Sequence, residues 1–164
     1  MKNNILISAA MALCLTVSLS GCGRPQPSAA IQPAQTGAES FKVSGDYEMH
    51  YNAVRTDQLT ADIARAYGIE RSKNKVLLNI SVLHKSPDGN STSPSDADIN
   101  VVAHNLNGQQ KDIQMRRIAE NAATYYIGDV AFSGAETLVF EIKATPAGST
   151  APIEATLTRE FFAN

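Results

Sequence analysis

The sequence predicts an all-β domain, an immunoglobulin-like β-sandwich of about seven strands with one short helix after the first strand. Three observations predict it. Apolar and polar residues alternate over a series of short stretches. Turn residues separate those stretches. A single segment abandons the two-residue period and carries helix start and stop signals instead.

The first strand is Tyr47, Met49, Tyr51 and Ala53 alternating with Glu48, His50 and Asn52, the pattern of a strand with one buried face. The helix follows. Thr60 is placed to cap it, Asp62 sits in its positive first turn, Ile63, Ala64 and Tyr67 lie near one face, and Gly68 supplies the left-handed stop. So brief a helix has no independent stability, and it is expected to pack across one open end of the sandwich.

In the second strand Val76, Leu78, Ile80 and Val82 alternate with Leu77, Asn79, Ser81 and Leu83. That predicts one face wholly buried and the other partly so. Ser86-Pro87-Asp88-Gly89-Asn90 is turn chemistry, since proline presets φ and glycine accepts a positive φ. The third strand carries Ile99, Val101 and Ala103, and a fourth runs from about Lys111 to Arg117 with Ile113 and Met115. Asn107-Gly108 between them is a strong hairpin signal. Thr124–Phe132, Leu138–Ala144 and Ile153–Phe162 complete the set. In the last of these Ile153, Ala155, Leu157 and Phe161 share a face with Arg159.

The sandwich is expected to occupy residues 41–164. Ahead of it, Lys2 lies in a polar start, Ile5–Leu19 is an apolar run, and Leu19-Ser20-Gly21-Cys22 closes it. The run is shorter than the roughly twenty apolar residues of a membrane-spanning helix and matches a secretory leader. Residues 1–21 therefore read as a lipoprotein signal peptide, and Cys22 as the thiol that receives the lipid, a palmitate-type acyl chain. Residues 22–40 read as the lipidated cysteine and a disordered linker, punctuated by Pro25, Pro27 and Pro33. Such a linker has a mean reach of roughly 25 Å, so the domain would stand off the membrane. No acidic residue follows Cys22, which favours the outer membrane over the inner. The expected location is the bacterial cell envelope, lipid-anchored on the periplasmic face.

The only other cysteine is Cys14, inside the leader. The mature domain is thus expected to hold no disulfide and to fold on its core alone. The formal charge of −2 becomes −3 once Lys2 is removed with the leader. No strongly basic lobe exists, which argues against a nucleic-acid surface.

A family resemblance rests on Gly45-Asp46-Tyr47-Glu48-Met49-His50-Tyr51-Asn52-Ala53, then Leu59-Thr60, Ile63-Ala64, Tyr67-Gly68-Ile69, Arg71-Ser72-Lys73 and Asn79-Ile80-Ser81-Val82-Leu83. Ala103, Asn105-Leu106, Tyr125-Tyr126 and Phe161-Phe162 continue it. The chain resembles a small family of exported gammaproteobacterial proteins known as domain of unknown function 4426. The resemblance implies a periplasmic β-sandwich and supplies no catalytic residues. It also implies a plain cleavable signal, from which the lipid tether departs.

Templates for catalysis are missing: no Gly-x-Ser-x-Gly elbow, no His-Glu-x-x-His and no phosphate loop. Ser72-Lys73-Asn74-Lys75 matches Ser-x-x-Lys, but it leads into a strand, where positions three apart face oppositely. The chain is therefore not expected to be an enzyme, and no cofactor is expected. His50, His84 and His104 are the histidines, and with Met49 or Met115 they invite a copper or zinc reading. No two of them share the spacing of two ligands on one element, so surface histidines are expected. The densest positive cluster is Arg71, Ser72, Lys73 and Lys75. With His50 and Asn52, the residues Arg71, Ser72 and Lys73 form the candidate binding surface. The expected role is a non-catalytic accessory or protein-binding module of the envelope, with the membrane (through its lipid) and another envelope protein as partners. A metal- or small-ligand-binding protein is the alternative.

Overall fold

The computed structural model describes residues 40–120 and 123–163. The expected signal peptide and nearly all of the expected linker, Cys22 included, lie outside the described residues.

Two antiparallel sheets face each other. The first is ordered β1 (Ser40–Ser44), β2 (Tyr47–Arg55), β3 (Lys75–Lys85), β8 (Ala123–Ala131) and β7 (Arg116–Glu120), with β4 (Thr92–Pro94) paired to the far end of β3. The second is β10 (Ile153–Phe162), β9 (Ala135–Pro146), β5 (Ala97–Asn105) and β6 (Gln110–Lys111). An all-β sandwich is what the alternation predicted. Strand number differs from the expectation of seven, because ten strands are found among the described residues. β1 and β4 were not expected. β1 is brief and mostly polar, and β4 carries Pro94, a residue confined to sheet edges.

The expected strand 111–117 divides in two. Gln110–Lys111 belongs to the second sheet and Arg116–Glu120 to the first, so residues 112–115 cross from one sheet to the other along the edge of the sandwich. Ile113 and Met115 pack on the main core along that crossing. Gly128 in β8 makes room for them. A Cβ there would meet Met115 Sδ at 2.7 Å, Ile113 Cγ1 at 2.9 Å and the Gln114 carbonyl oxygen at 3.0 Å.

The main core lies between the sheets. Met49, Ala53, Val76, Leu78, Ile80 and Val82 enter from one side and Leu138, Phe140, Ile142, Ala144, Ile153, Leu157 and Phe161 from the other. Each fully buried side chain of this size stabilises by about 1.5–3 kcal/mol relative to exposure. The inward set on β2 and β3 is the one the alternation singled out.

The helix α1 (Ala61–Ala66) follows a 3-10 turn at Thr56–Gln58. Ile63 N–H donates to Thr60 Oγ1 at 3.3 Å, the expected cap. Gly68 takes φ 61°, and Ile69 N–H returns to the Ala64 carbonyl at 2.7 Å. The helix does not close an open end. It lies on the outer face of the first sheet, where Leu59, Ala64 and Tyr67 join Val54, Leu77 and Ile127 in a second apolar cluster. Leu77 faces away from the main core, so β3 is buried on both faces where the helix covers it.

Asn107-Gly108 does sit in the β5–β6 hairpin, though in a longer loop than a two-residue turn. Asn105 N–H donates to the Gln109 carbonyl at 3.0 Å, while Asn105 Oδ1 accepts from the N–H groups of Asn107 and Gln109. Asn105 Nδ2 then donates to Glu136 at 2.9 Å, and Lys111 Nζ reaches the same carboxylate at 2.6 Å. Burial pushes the Glu136 carboxyl up. Lys111, Asn105 and the Ser133 N–H outweigh that and hold it below its ordinary value.

Gly128→Ala forces the crossing segment outward and should cost about 1–3 kcal/mol, read by denaturant unfolding. A carboxyl with a lowered folded-state pKa adds stability above its unfolded value, and that stability is lost as pH falls through the lowered one. Thermal midpoints measured from about pH 7 down to about pH 3 should therefore fall less steeply in Glu136→Gln than in the parent.

Candidate binding surface

The outer face of the first sheet has two halves. The 3-10 turn, α1 and the loop to Asn74 form a strap over one of them. Tyr67 anchors it: its hydroxyl donates to the Glu120 carboxylate, and its carbonyl accepts from Arg116 Nη2. Burial, followed by the bond to Glu120 and its charge, raises the Tyr67 phenol well above its ordinary pKa.

The loop after the helix is fastened from below. Thr56 has no exposure, and its Oγ1 accepts from Ser72 N–H at 2.8 Å and donates to the Ser72 carbonyl at 3.1 Å. Arg71 Nη2 donates to the Asp57 carbonyl at 2.8 Å. Ser72 Oγ accepts from Asn74 N–H at 3.1 Å, and Lys75 Nζ lies 2.8 Å from Glu70 and 3.4 Å from Asp129. Ser72 and Lys75 thus serve a turn and an ion pair, each with its own partners. Lys73 is exposed.

His50 lies on the half that the strap leaves bare among the described residues. Its Nε2 sits 2.7 Å from Glu48 Oε1, and its ring stacks on Phe41 with centroids 5.8 Å apart. Phe41 is 60 % exposed and Val43 43 %. Both stand on β1 in register with His50 and Glu48. Asn52 is only 5 % exposed, and its Oδ1 accepts from Arg159 Nη1 at 3.0 Å.

The five residues singled out in the sequence therefore do not form one surface. Ser72 is tied to Thr56, six positions along the chain from His50, roughly 20 Å of extended strand. Asn52 holds an arginine from the other sheet. What gathers around His50 instead is Phe41, Val43 and Glu48. Phe41 and Val43 come beside His50 through the two-residue turn Gly45-Asp46, which pairs Ser44 with Tyr47 and so Phe41 with His50.

The other histidines stand apart. His84 lies against Tyr47, centroids 4.9 Å apart, at one end of the sandwich, and His104 is on the outer face of the second sheet, 3.6 Å from Glu141. Among the described residues no three of His, Cys, Asp and Glu gather as a metal site.

The model of DUF4426, a domain of unknown function, matches residues 41–164. The chain belongs to the DUF4426 family. It is similar to the crystal structure of a DUF4426 protein from Pseudomonas aeruginosa, at 28% identity and TM-score 0.64, over 77% of this chain and 96% of that one. A copper-bound variant of FetP from uropathogenic Escherichia coli shares the fold at TM-score 0.50 and 10% identity, over 76% of this chain and 90% of that one. No curated protein matches the chain.

Thr56 tests how firmly the strap is held. Thr56→Val keeps the shape and removes both bonds to Ser72. Leaving those buried backbone groups unpaired should cost about 1–3 kcal/mol. Hydrogen exchange should rise at Ser72 and Asn74, with the sheet amides of β9 unchanged.

Proposed function

We propose that this DUF4426 protein is a lipoprotein of the bacterial envelope, tethered through acylated Cys22, whose domain is a non-catalytic accessory module that binds another envelope protein. The observation that carries the binding reading is the patch on β1 and β2. Phe41 and Val43 expose apolar surface beside His50 and Glu48, on the half of the sheet that the strap leaves open. Contacts of this kind, aromatic at the centre and polar at the rim, dominate protein interfaces. The compartment rests on the leader sequence ending Leu19-Ser20-Gly21-Cys22. No helix among the described residues is long and apolar enough to cross a membrane, so any attachment in this reading comes from the lipid. Outer-membrane sorting follows from Gly23 and its neighbours.

The copper or zinc reading is the alternative. FetP is copper-bound, but at 10% identity its likeness to this chain is one of fold. Here the three histidines stand on three separate surfaces, which weighs against a shared ligand set.

Mass spectrometry of the mature protein from membranes should show acyl groups on Cys22, and Cys22→Ser should release it. Crosslinking in intact envelopes should recover one partner protein. The double substitution Phe41→Ser, Val43→Ser should lower that recovery at least about fivefold, the effect of a hot spot. Recovery of the protein alone, or equal recovery from the variant, would sink the reading. Calorimetric titration of the domain with copper or zinc should show no uptake at micromolar concentration, and uptake would favour the alternative.

A further inference from the structure

The edge of β5 that faces away from β9 is open along part of its length. Successive residues of a strand aim their N–H and C=O groups to opposite sides. Bonds on both sides fix which residues aim where. Ala147, just past the end of β9, donates its N–H to the Asp96 carbonyl at 2.7 Å, so the even-numbered residues of β5 serve β9. Ala97 N–H donates instead to the Tyr126 hydroxyl at 2.7 Å, and Asn105 N–H to the Gln109 carbonyl at 3.0 Å. The odd-numbered residues therefore serve the other side. There β6 covers Ala103 through Lys111 and pairs no further along β5. Between Ala97 and Ala103 stand Ile99 and Val101, and among the described residues no strand pairs with either on that side. Described chain bounds the gap at both ends, Lys111 at one and Asp96 with Arg117 at the other.

Nothing in the strand blunts this edge. The edge strands β4, β6 and β7 carry Pro94, Lys111 and Arg116 with Arg117, residues that discourage pairing. Over residues 97–102 β5 has neither proline nor cation. Its inward side chains here, Ile99 and Val101, are only partly buried against the main core. The charges beside it are acidic: Asp98 on its outer face and Asp112 just after β6 are both exposed. The nearby cations Lys111 and Arg117 already lie against Glu136 and Asp96, each at 2.6 Å.

We propose that residues 97–101 are a strand-addition site for an extended segment of a partner protein, one in which apolar residues alternate with lysine or arginine. The site is separate from the patch of Phe41 and Val43, and it rests only on the reading that the domain binds protein. The edge itself sets the mode. The N–H and C=O groups of Ile99 and Val101, with the Ala97 carbonyl, are available to a strand laid antiparallel to β5 in line with β6. Main-chain bonds of this kind supply affinity, and the flanking side chains supply specificity. Segment residues opposite Ile99 and Val101 turn inward beside those side chains, which calls for apolar ones. The residue opposite Asp98 turns outward, where a cation complements it. A cation at the start of the segment meets Asp112.

Amide hydrogen exchange on the soluble mature chain, Cys22→Ser, tests this. In the free chain Ile99 and Val101 should exchange at least about tenfold faster than Asn100 and Val102, whose N–H groups are bonded to β9. The acetylated peptide Lys-Val-Lys-Val-Lys at millimolar concentration should slow Ile99 and Val101 at least about threefold, and Asn100 and Val102 less. Glu-Val-Glu-Val-Glu should slow them less than the lysine peptide does. The lysine peptide with N-methylated valines, which cannot donate to the edge, should leave them at the free rate. Asp98→Lys should remove the advantage of the lysine peptide. Slow exchange at Ile99 and Val101 in the free chain, no slowing by the lysine peptide, or equal slowing by the glutamate or N-methylated peptide would overturn the proposal. The measurement uses neither acylation nor the envelope partner. Failure here leaves the crosslinking at Phe41 and Val43 standing, and failure there leaves the peptide result standing, so the two are told apart.

Discussion

The fold depends on the withdrawal from water of one layer of side chains between two sheets. Residues 40–164 contain no cysteine to bridge them, since Cys14 and Cys22 both precede that stretch. Phe140, Leu138 and Ile142 on β9 must therefore hold against Met49, Leu78, Ile80 and Val82 by dispersion and the hydrophobic effect alone. Polar groups secure the margins of that layer. Arg159 and Arg55 close one side, and Arg117, 2.6 Å from Asp96, closes the other. The Lys111–Glu136–Asn105 cluster sits under the β5–β6 hairpin. Each pair is modest in worth, and the two arginines on the first side also satisfy backbone carbonyls of strand edges, those of Ala53 and Phe162.

The alternation in β2 and β3 was legible because period two survives wherever one face is buried and the other is not. The helix was legible for an equally local reason: Thr60, Asp62 and Gly68 act through groups within a turn of themselves. The crossing at 112–115 was not. Ile113 and Met115 keep the strand alternation, yet they occupy the gap between sheets. The cause is Gly128, distant in sequence, whose missing side chain provides the space.

The candidate surface shows the same boundary. Arg71, Ser72 and Lys73 drew notice as a positive cluster, and composition cannot reveal that Thr56 and Asp57 would hold two of them. Asn52 reads as an outward polar residue, and it is outward. It is buried because an arginine from β10 reaches around the strand edge to it. Arg159 stood on the inward face of the last strand in the sequence, and a charge at such a position marks a tertiary bond whose partner only the fold can name.

The strap between β2 and β3 has one more implication. Arg55 and Val76 are direct partners, so a tight turn would suffice to join these strands. The chain instead spends Thr56–Asn74 there. Loop-closure entropy grows slowly, by only about 0.6 kcal/mol for each doubling of length. A detour of this size is therefore thermodynamically cheap, while its contents decide which half of the outer sheet stays bare. What the segment must keep is the apolar cover that Leu59, Ala64 and Tyr67 lay over Leu77 and Ile127; its exposed positions, Lys73 among them, are where one common scaffold is free to diverge in what it meets.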